Sequence, residues 1–193
     1  MNGTVITVIV VAVVVLAIIA GVALLAARKR RQQQERQEEA RREYGPEYER
    51  AVEERGSEKE AESELRERRE RMEGEIRPLP EESRRRYAER WEEVERTFVD
   101  DPAGALDGAD RVVAEIMAER NFPTESREEA SKGLGVMHSD VAEDFRAAQR
   151  VHQEAVGSSN GGGSSTGSGG EDLEKMREAI QEYRSVYERL TKE

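Results

Sequence analysis

Residues 171–190 read EDLEKMREAIQEYRSVYERL, and this stretch decides what kind of fold the chain has. Leu173, Met176, Ile180, Tyr183, Tyr187 and Leu190 follow one another at steps of three and four. That spacing lines one face of an α-helix. An isolated helix of this length is marginal in water, because most helical stability in proteins comes from packing an amphipathic face. The stripe therefore predicts a terminal helix over 171–193 that docks on other helices. Self-association as a coiled coil is the alternative, with fewer than three heptads to support it. The rest of the chain has to supply the surface that the stripe covers.

Immediately before it, residues 157–170 are Gly, Ser, Thr and Asn only. Such a linker is a flexible coil with an r.m.s. span of roughly 20 Å and imposes no direction on the terminal helix. Further back, residues 78–156 carry the helical patterns the terminal stripe needs. Tyr87, Trp91, Val94 and Phe98 step by four, three and four, giving one aromatic helix face. Core packing is the stronger reading of that face, with an exposed binding edge at Trp91 as the alternative. Asp101 then suits an N-cap and Pro102 a first helical position. Leu106, Ala109, Val113 and Ile116, with Met117 or Arg120, line the next helix, which Asn121-Phe122-Pro123 ends. Ser126 with Glu129 resembles a capping box for a short helix ending near Gly133, and Gly133-Leu134-Gly135 reads as a turn. Ser139 or Asp140 caps a last helix, with Val141, Phe145, Ala148, His152 and Ala155 facing inward. The expected fold is all-α, with an antiparallel helical bundle of about four helices over 78–156 plus the docked terminal helix.

The N-terminal third is built differently. Residues Thr4 to Ala27 contain no ionisable side chain, and every charged residue of the chain lies after Ala27. Twenty-four helical residues reach roughly 36 Å, enough to cross a hydrocarbon core of about 30 Å. A cleaved signal peptide would carry a basic n-region and a shorter apolar core. Residues 1–3 are Met-Asn-Gly, without a basic side chain, so the run reads as an uncleaved transmembrane helix. Arg28, Lys29, Arg30 and Arg31 follow it directly. The positive-inside rule keeps that flank in the cytoplasm and the short N-terminus outside. Residues 28–77 hold 15 Lys+Arg and 16 Asp+Glu with few large apolar side chains. Leu65, Met72 and Ile76 form a stripe that reads as too thin for a core, so this segment is expected to be a solvated, partly helical stalk, with a weak coiled-coil seam as the alternative.

Composition limits the chemistry. The 193 residues are 38% charged with a net charge of −11, and none is cysteine. Disulfides, thiolate metal sites and a cysteine nucleophile are excluded. Residues 78–193 carry 16 Lys+Arg against 26 Asp+Glu, an acidic balance that disfavours nucleic acid as a partner. His138 and His152 lie 14 apart with no ligand spacing around them, and no phosphate-binding or dinucleotide-binding glycine motif is present. Catalytic, cofactor-binding and metal residues are therefore expected to be absent.

The stretch Pro80-Glu81-Glu82-Ser83-Arg84-Arg85-Arg86-Tyr87 through Trp91, then Phe98-Val99-Asp100-Asp101-Pro102, and on to Arg111-Val112-Val113 and Met117, resembles a group of single-pass membrane proteins of actinobacteria. Members are labelled only as membrane or secreted proteins, so the resemblance implies an architecture and no activity. The use of 26 Arg against 5 Lys suits a GC-rich genome of that kind.

These features support three expectations for function. The first is a membrane-anchored, non-enzymatic helical interaction or scaffold module facing the cytoplasm, with the bilayer and a protein as partners. The second is a cell-envelope or division accessory protein. The third is a carboxylate-based metal-dependent hydrolase, which would need perturbed carboxylates converging in one pocket. The topology makes its own prediction. Replacing Arg28, Lys29, Arg30 and Arg31 with neutral residues should mix the orientation of the chain, read by compartment-specific reporters fused after Glu193.

Overall fold

The computed structural model describes residues 21, 24, 25, 27–29, 31, 32, 34–160 and 169–192. Every element in them is helical, so the chain is all-α. Apart from Gly21, Leu24, Leu25 and Ala27, the expected membrane span lies outside the described residues. Among the described residues, no helix is long and apolar enough to cross a membrane.

The chain divides into two compact units, Met1–Glu43 and Tyr44–Glu193. In the first, the described residues are helical, and Arg28, Lys29 and Arg31 are exposed. Arg30 lies outside the described residues. Helix α1 covers residues 34–44. The second unit contains α2 (Pro46–Arg55), α3 (Glu58–Glu75), α4 (Glu81–Thr97), α5 (Pro102–Glu119), α6 (Arg127–Met137), α7 (Ser139–Asn160) and α8 (Gly169–Thr191).

Local chemistry sets most of these boundaries. The Asp101 carboxylate accepts from the Gly104 N–H at 2.9 Å, with Pro102 opening α5. That is the N-cap its position in the sequence suggests. Ser126 Oγ likewise accepts from the Glu129 N–H at 3.1 Å and caps α6. Asn121 takes a left-handed φ of 65°, which its short polar side chain tolerates, and turns the chain after α5.

The core lies where α4, α5, α7 and α8 meet. Side-chain pairs give the directions. Tyr87 and Arg90 of α4 reach Glu119 and Glu115 of α5, so these two helices are antiparallel. Phe145 of α7 meets Tyr183 of α8 edge-on at 6.3 Å. Asp110 of α5 and Arg120, the residue that caps its C-terminal end, bond Tyr183 and Leu190 of α8 in the same chain order, so α5 and α8 run parallel. Leu106, Val113, Ile116, Ala148, Ala179, Tyr183, Val186 and Leu190 are wholly buried among them. Trp91 stacks on Tyr187 with centroids 4.7 Å apart and planes at 14°. Offset stacking of this kind adds about 0.5–1.5 kcal/mol beyond area burial.

Two expectations are corrected here, for one physical reason. Residues 44–77 are not a solvated stalk outside the body. The compact unit begins at Tyr44, and Ala61, Leu65 and Met72 of α3 are buried. Nor is Gly133-Leu134-Gly135 a turn, because α6 runs through it to Met137. A Cβ at Gly133 would stand 2.8 Å from Pro123 Cγ and 3.1 Å from Met72 Cε. At Gly135 it would stand 2.9 Å from Glu47 Oε2. The missing side chains let α2 and α3 approach α6 closely, so a thin apolar stripe on α3 suffices. Two smaller differences concern the linker and the terminal helix. Helix α7 continues to Asn160 and α8 starts at Gly169, so both ends of the expected linker are helical. The buried centre of α8 also includes Ala179 and Val186, while Leu173 is 38% exposed.

Gly133 sets two effects against each other. In an exposed helix, Gly→Ala stabilises by about 1 kcal/mol through propensity. Here the added methyl meets the rigid Pro123 ring, and overpacking typically costs about 1–3 kcal/mol. Gly133→Ala should therefore lower the denaturant midpoint of residues 44–193. A raised midpoint would mean that α6 is not packed this closely.

Candidate interaction surface

The polar groups of the body fall into two kinds, those that tie helices together and those that line its surface clefts. The first kind centres on Asp110 of α5. Its Oδ1 accepts from the Tyr183 hydroxyl at 2.6 Å, and its Oδ2 lies 3.5 Å from Arg127 at the start of α6. His152 of α7 is buried beside them, with Nε2 at 3.3 Å from Asp107 Oδ1 and Nδ1 at 3.4 Å from an Arg127 nitrogen. Because guanidinium can only donate, Nδ1 is the acceptor and Nε2–H donates to Asp107. Burial and the Asp110 carboxylate hold the Tyr183 phenol well above its ordinary range. This knot joins four helices, and it leaves His152 engaged through both ring nitrogens.

Other ties have the same character. Glu47, buried in α2, meets Arg146 of α7. Glu119 gathers Ser83, Arg86 and Tyr87, and the hydrogen bond from Ser83 leads the effects that hold its carboxyl below the usual carboxylate range. Arg120 is buried and donates from Nε to the Arg77 carbonyl at 3.1 Å and from a terminal nitrogen to the Leu190 carbonyl at 2.9 Å. It thus closes the C-terminal end of α8, where carbonyl groups lack helical partners. His138 is also buried, and its Nδ1 accepts from Arg189 Nε at 3.3 Å.

Among the described residues, three of the surface clefts bear on an interaction site. The first, about 350 Å³, lies between α3 and the 121–125 loop, and mixes Arg68 and Arg71 with Glu75, Glu125 and Glu129. The second, about 320 Å³, opens where the start of α5, the end of α7 and the start of α8 meet. Ala103, Val151, Ala155 and Met176 form its apolar lining, and Glu154, Asp172 and Lys175 its polar one. Val156 and Leu173, next in sequence to two of these residues, are two of the few large apolar side chains the body exposes. The third is an open groove along α7 and α8, lined by Asp144, Glu178, Gln181 and Glu182. Burial, and then the nearby Asp144 charge, push the Glu182 carboxyl above its ordinary value.

The candidate residues of the sequence are distributed unevenly among these features. Trp91 is 4% exposed and belongs to the core, with its indole N–H on Glu95 at 3.1 Å. It offers no binding edge. Tyr183 and Leu190 are core, Ile180 and Tyr187 pack partly buried against it, and Met176 reaches the second cleft. Leu173 is exposed at the surface, three residues before Met176 on α8. Ala103 is not among the candidates, because a lone alanine after a helix-opening proline carries no periodic signal. Among the described residues, no group of three or more His, Asp or Glu side chains is arranged to hold a metal ion. Comparison of the chain with protein-family models, curated proteins and solved structures finds no match.

The Glu182 environment can be tested directly. Its pKa is raised in the folded state, so the folded body binds this proton more tightly than the unfolded chain. Stability associated with it is therefore present at low pH and declines as pH rises through the raised value. Glu182→Gln should stabilise the body at neutral pH, by about 0.5 kcal/mol or less given the exposure. The gain should vanish below the ordinary carboxylate range, where the wild-type side chain is also neutral.

Proposed function

We propose that this protein is a membrane-anchored, single-pass, non-enzymatic interaction module whose helical body faces the cytoplasm and recruits a protein partner. The apolar cleft between α5, α7 and α8 is the observation that carries the reading. The surface around it is strongly charged, and a concave opening lined by apolar side chains with a few polar groups at its edge supports a binding role. Residues 44–193 contain 24 Lys+Arg against 38 Asp+Glu, a net −14, whereas residues 1–43 carry a net +3. A basic flank suits an anionic inner leaflet, at about 1 kcal/mol per charge near the surface. An acidic body is repelled by the same leaflet and stays available to a soluble or membrane-bound partner. The resemblance to actinobacterial single-pass membrane proteins supports the same architecture, a transmembrane helix carrying an antiparallel bundle.

The test combines topology with contact. A reporter active only in the cytoplasm, fused after Glu193, should work, and one active only outside should not. A photo-crosslinking residue at Leu173, in the membranes of the native host, should give a discrete protein adduct. The same residue at Glu60 on α3 should not. An active external reporter would refute the topology. No adduct at Leu173, or equal adducts at both positions, would refute the interaction surface.

A further inference from the structure

The chemistry of the cleft narrows what can occupy it. Its lining side chains Ala103, Val151, Ala155 and Met176 offer methyl, methylene and thioether surface. Leu173, exposed and three residues before Met176 on α8, is its neighbour on the helix surface. Filling such a cleft takes an apolar side chain. The chain's own residues 157–170 are only Gly, Ser, Thr and Asn and have none to offer. The polar lining is predominantly acidic, with Glu154 and Asp172 against Lys175. Farther along the same two helices the groove is lined by Asp144, Glu178 and Glu182. Antiparallel α7 and α8 thus present an apolar socket at one end and carboxylates along their length, on a body of net charge −14.

We propose that this surface seats a basic amphipathic helix of another protein. Apolar residues spaced three or four apart on that helix enter the socket beside Met176 and Leu173, the helix-in-groove mode of recognition. Its Lys or Arg residues meet Asp144, Glu178 and Glu182 along the groove. The apolar anchor supplies most of the affinity, and the charges set orientation, association rate and salt dependence. This inference rests on the reading of the protein as an interaction module and names the chemistry of its partner.

The full chain, held in nanodiscs of zwitterionic lipid so that the bilayer attracts no basic peptide, provides the test. The probe is an 18-residue peptide of Lys and Leu with its leucines on one helical face, compared with a scrambled peptide of the same composition. The amphipathic peptide should bind at least about tenfold more tightly than the scrambled one, a difference of about 1.4 kcal/mol. Leu173→Lys, at an exposed position where folding is undisturbed, should remove most of that preference. The triple variant D144N/E178Q/E182Q should bind several-fold more weakly, with a shallower salt dependence. The triple variant E53Q/E60Q/E70Q on α2 and α3 should stay within about twofold of wild type. Circular dichroism on every variant separates loss of binding from loss of fold. Equal binding of the two peptides, or equal losses in the two triple variants, would overturn the proposal as mere attraction to net charge. If that happens while Leu173 still crosslinks to a discrete protein, the partner's chemistry is wrong and the interaction reading stands. Without the crosslink, the interaction reading itself fails.

Discussion

The body depends on one packing event, the closure of α8 over the trough between α4, α5 and α7. Ala179, Tyr183, Val186 and Leu190 are fully buried there, and each neighbouring helix contributes a separate hold. Helix α4 stacks Trp91 on Tyr187, α5 bonds Tyr183 through Asp110 and the Leu190 carbonyl through Arg120, and α7 meets Tyr183 with Phe145. The holds differ in physical kind. Apolar burial supplies most of the free energy, whereas the two polar contacts fix the helix along its axis and about it. A buried Tyr or Arg without its partner costs more than the bond contributes when made, so a misplaced α8 is penalised strongly. Residues 157–170 are Gly, Ser, Thr and Asn only and bring no apolar side chain to fix a register, which leaves these contacts to determine it.

The many ion pairs of the surface have a different role. Pairs such as Arg69–Glu73 and Arg85–Glu81 are exposed i,i+4 contacts, each worth only a few tenths of a kcal/mol. Together they cover the outer faces of the helices with paired charge. The buried members, Glu47 with Arg146 and the knot around Asp110, act chiefly on specificity, because they fit only one arrangement of α2, α5, α6, α7 and α8. Against this charged exterior, Met176 in the socket and Leu173 three residues before it on α8 are apolar side chains left within reach of solvent.

Legibility in the sequence tracks the size of the side chains involved. Caps are readable because Asp101 and Ser126 act through local bonds, and the aromatic face of α4 and the stripe of α8 are readable because large side chains mark them. The packing of α3 and α6 is not, because its signal is a pair of glycines and an alanine. Gly133 and Gly135 look like chain breaks until Pro123, Met72 and Glu47 are placed against them. For the same reason Ala179 gives no signal at the centre of α8, and Ala103 gives none in the socket. Met176 and Ala155 stand out on their helical faces, but their meeting at one cleft depends on the antiparallel pairing of α7 and α8. Neither helix encodes that alone.

The closure of α8 is the central claim, and truncation measures it most directly. Residues 44–157 and 44–193 should be compared by chemical denaturation, with a peptide of residues 169–193 added in trans to the shorter chain. The shorter chain should remain helical but lose most of its cooperative stability and associate through the exposed trough. The peptide should bind it and restore a single cooperative transition, and a peptide carrying Tyr183→Phe should do so more weakly. A shorter chain that unfolds at the same midpoint as the longer one, stays monomeric and ignores the peptide would contradict the account.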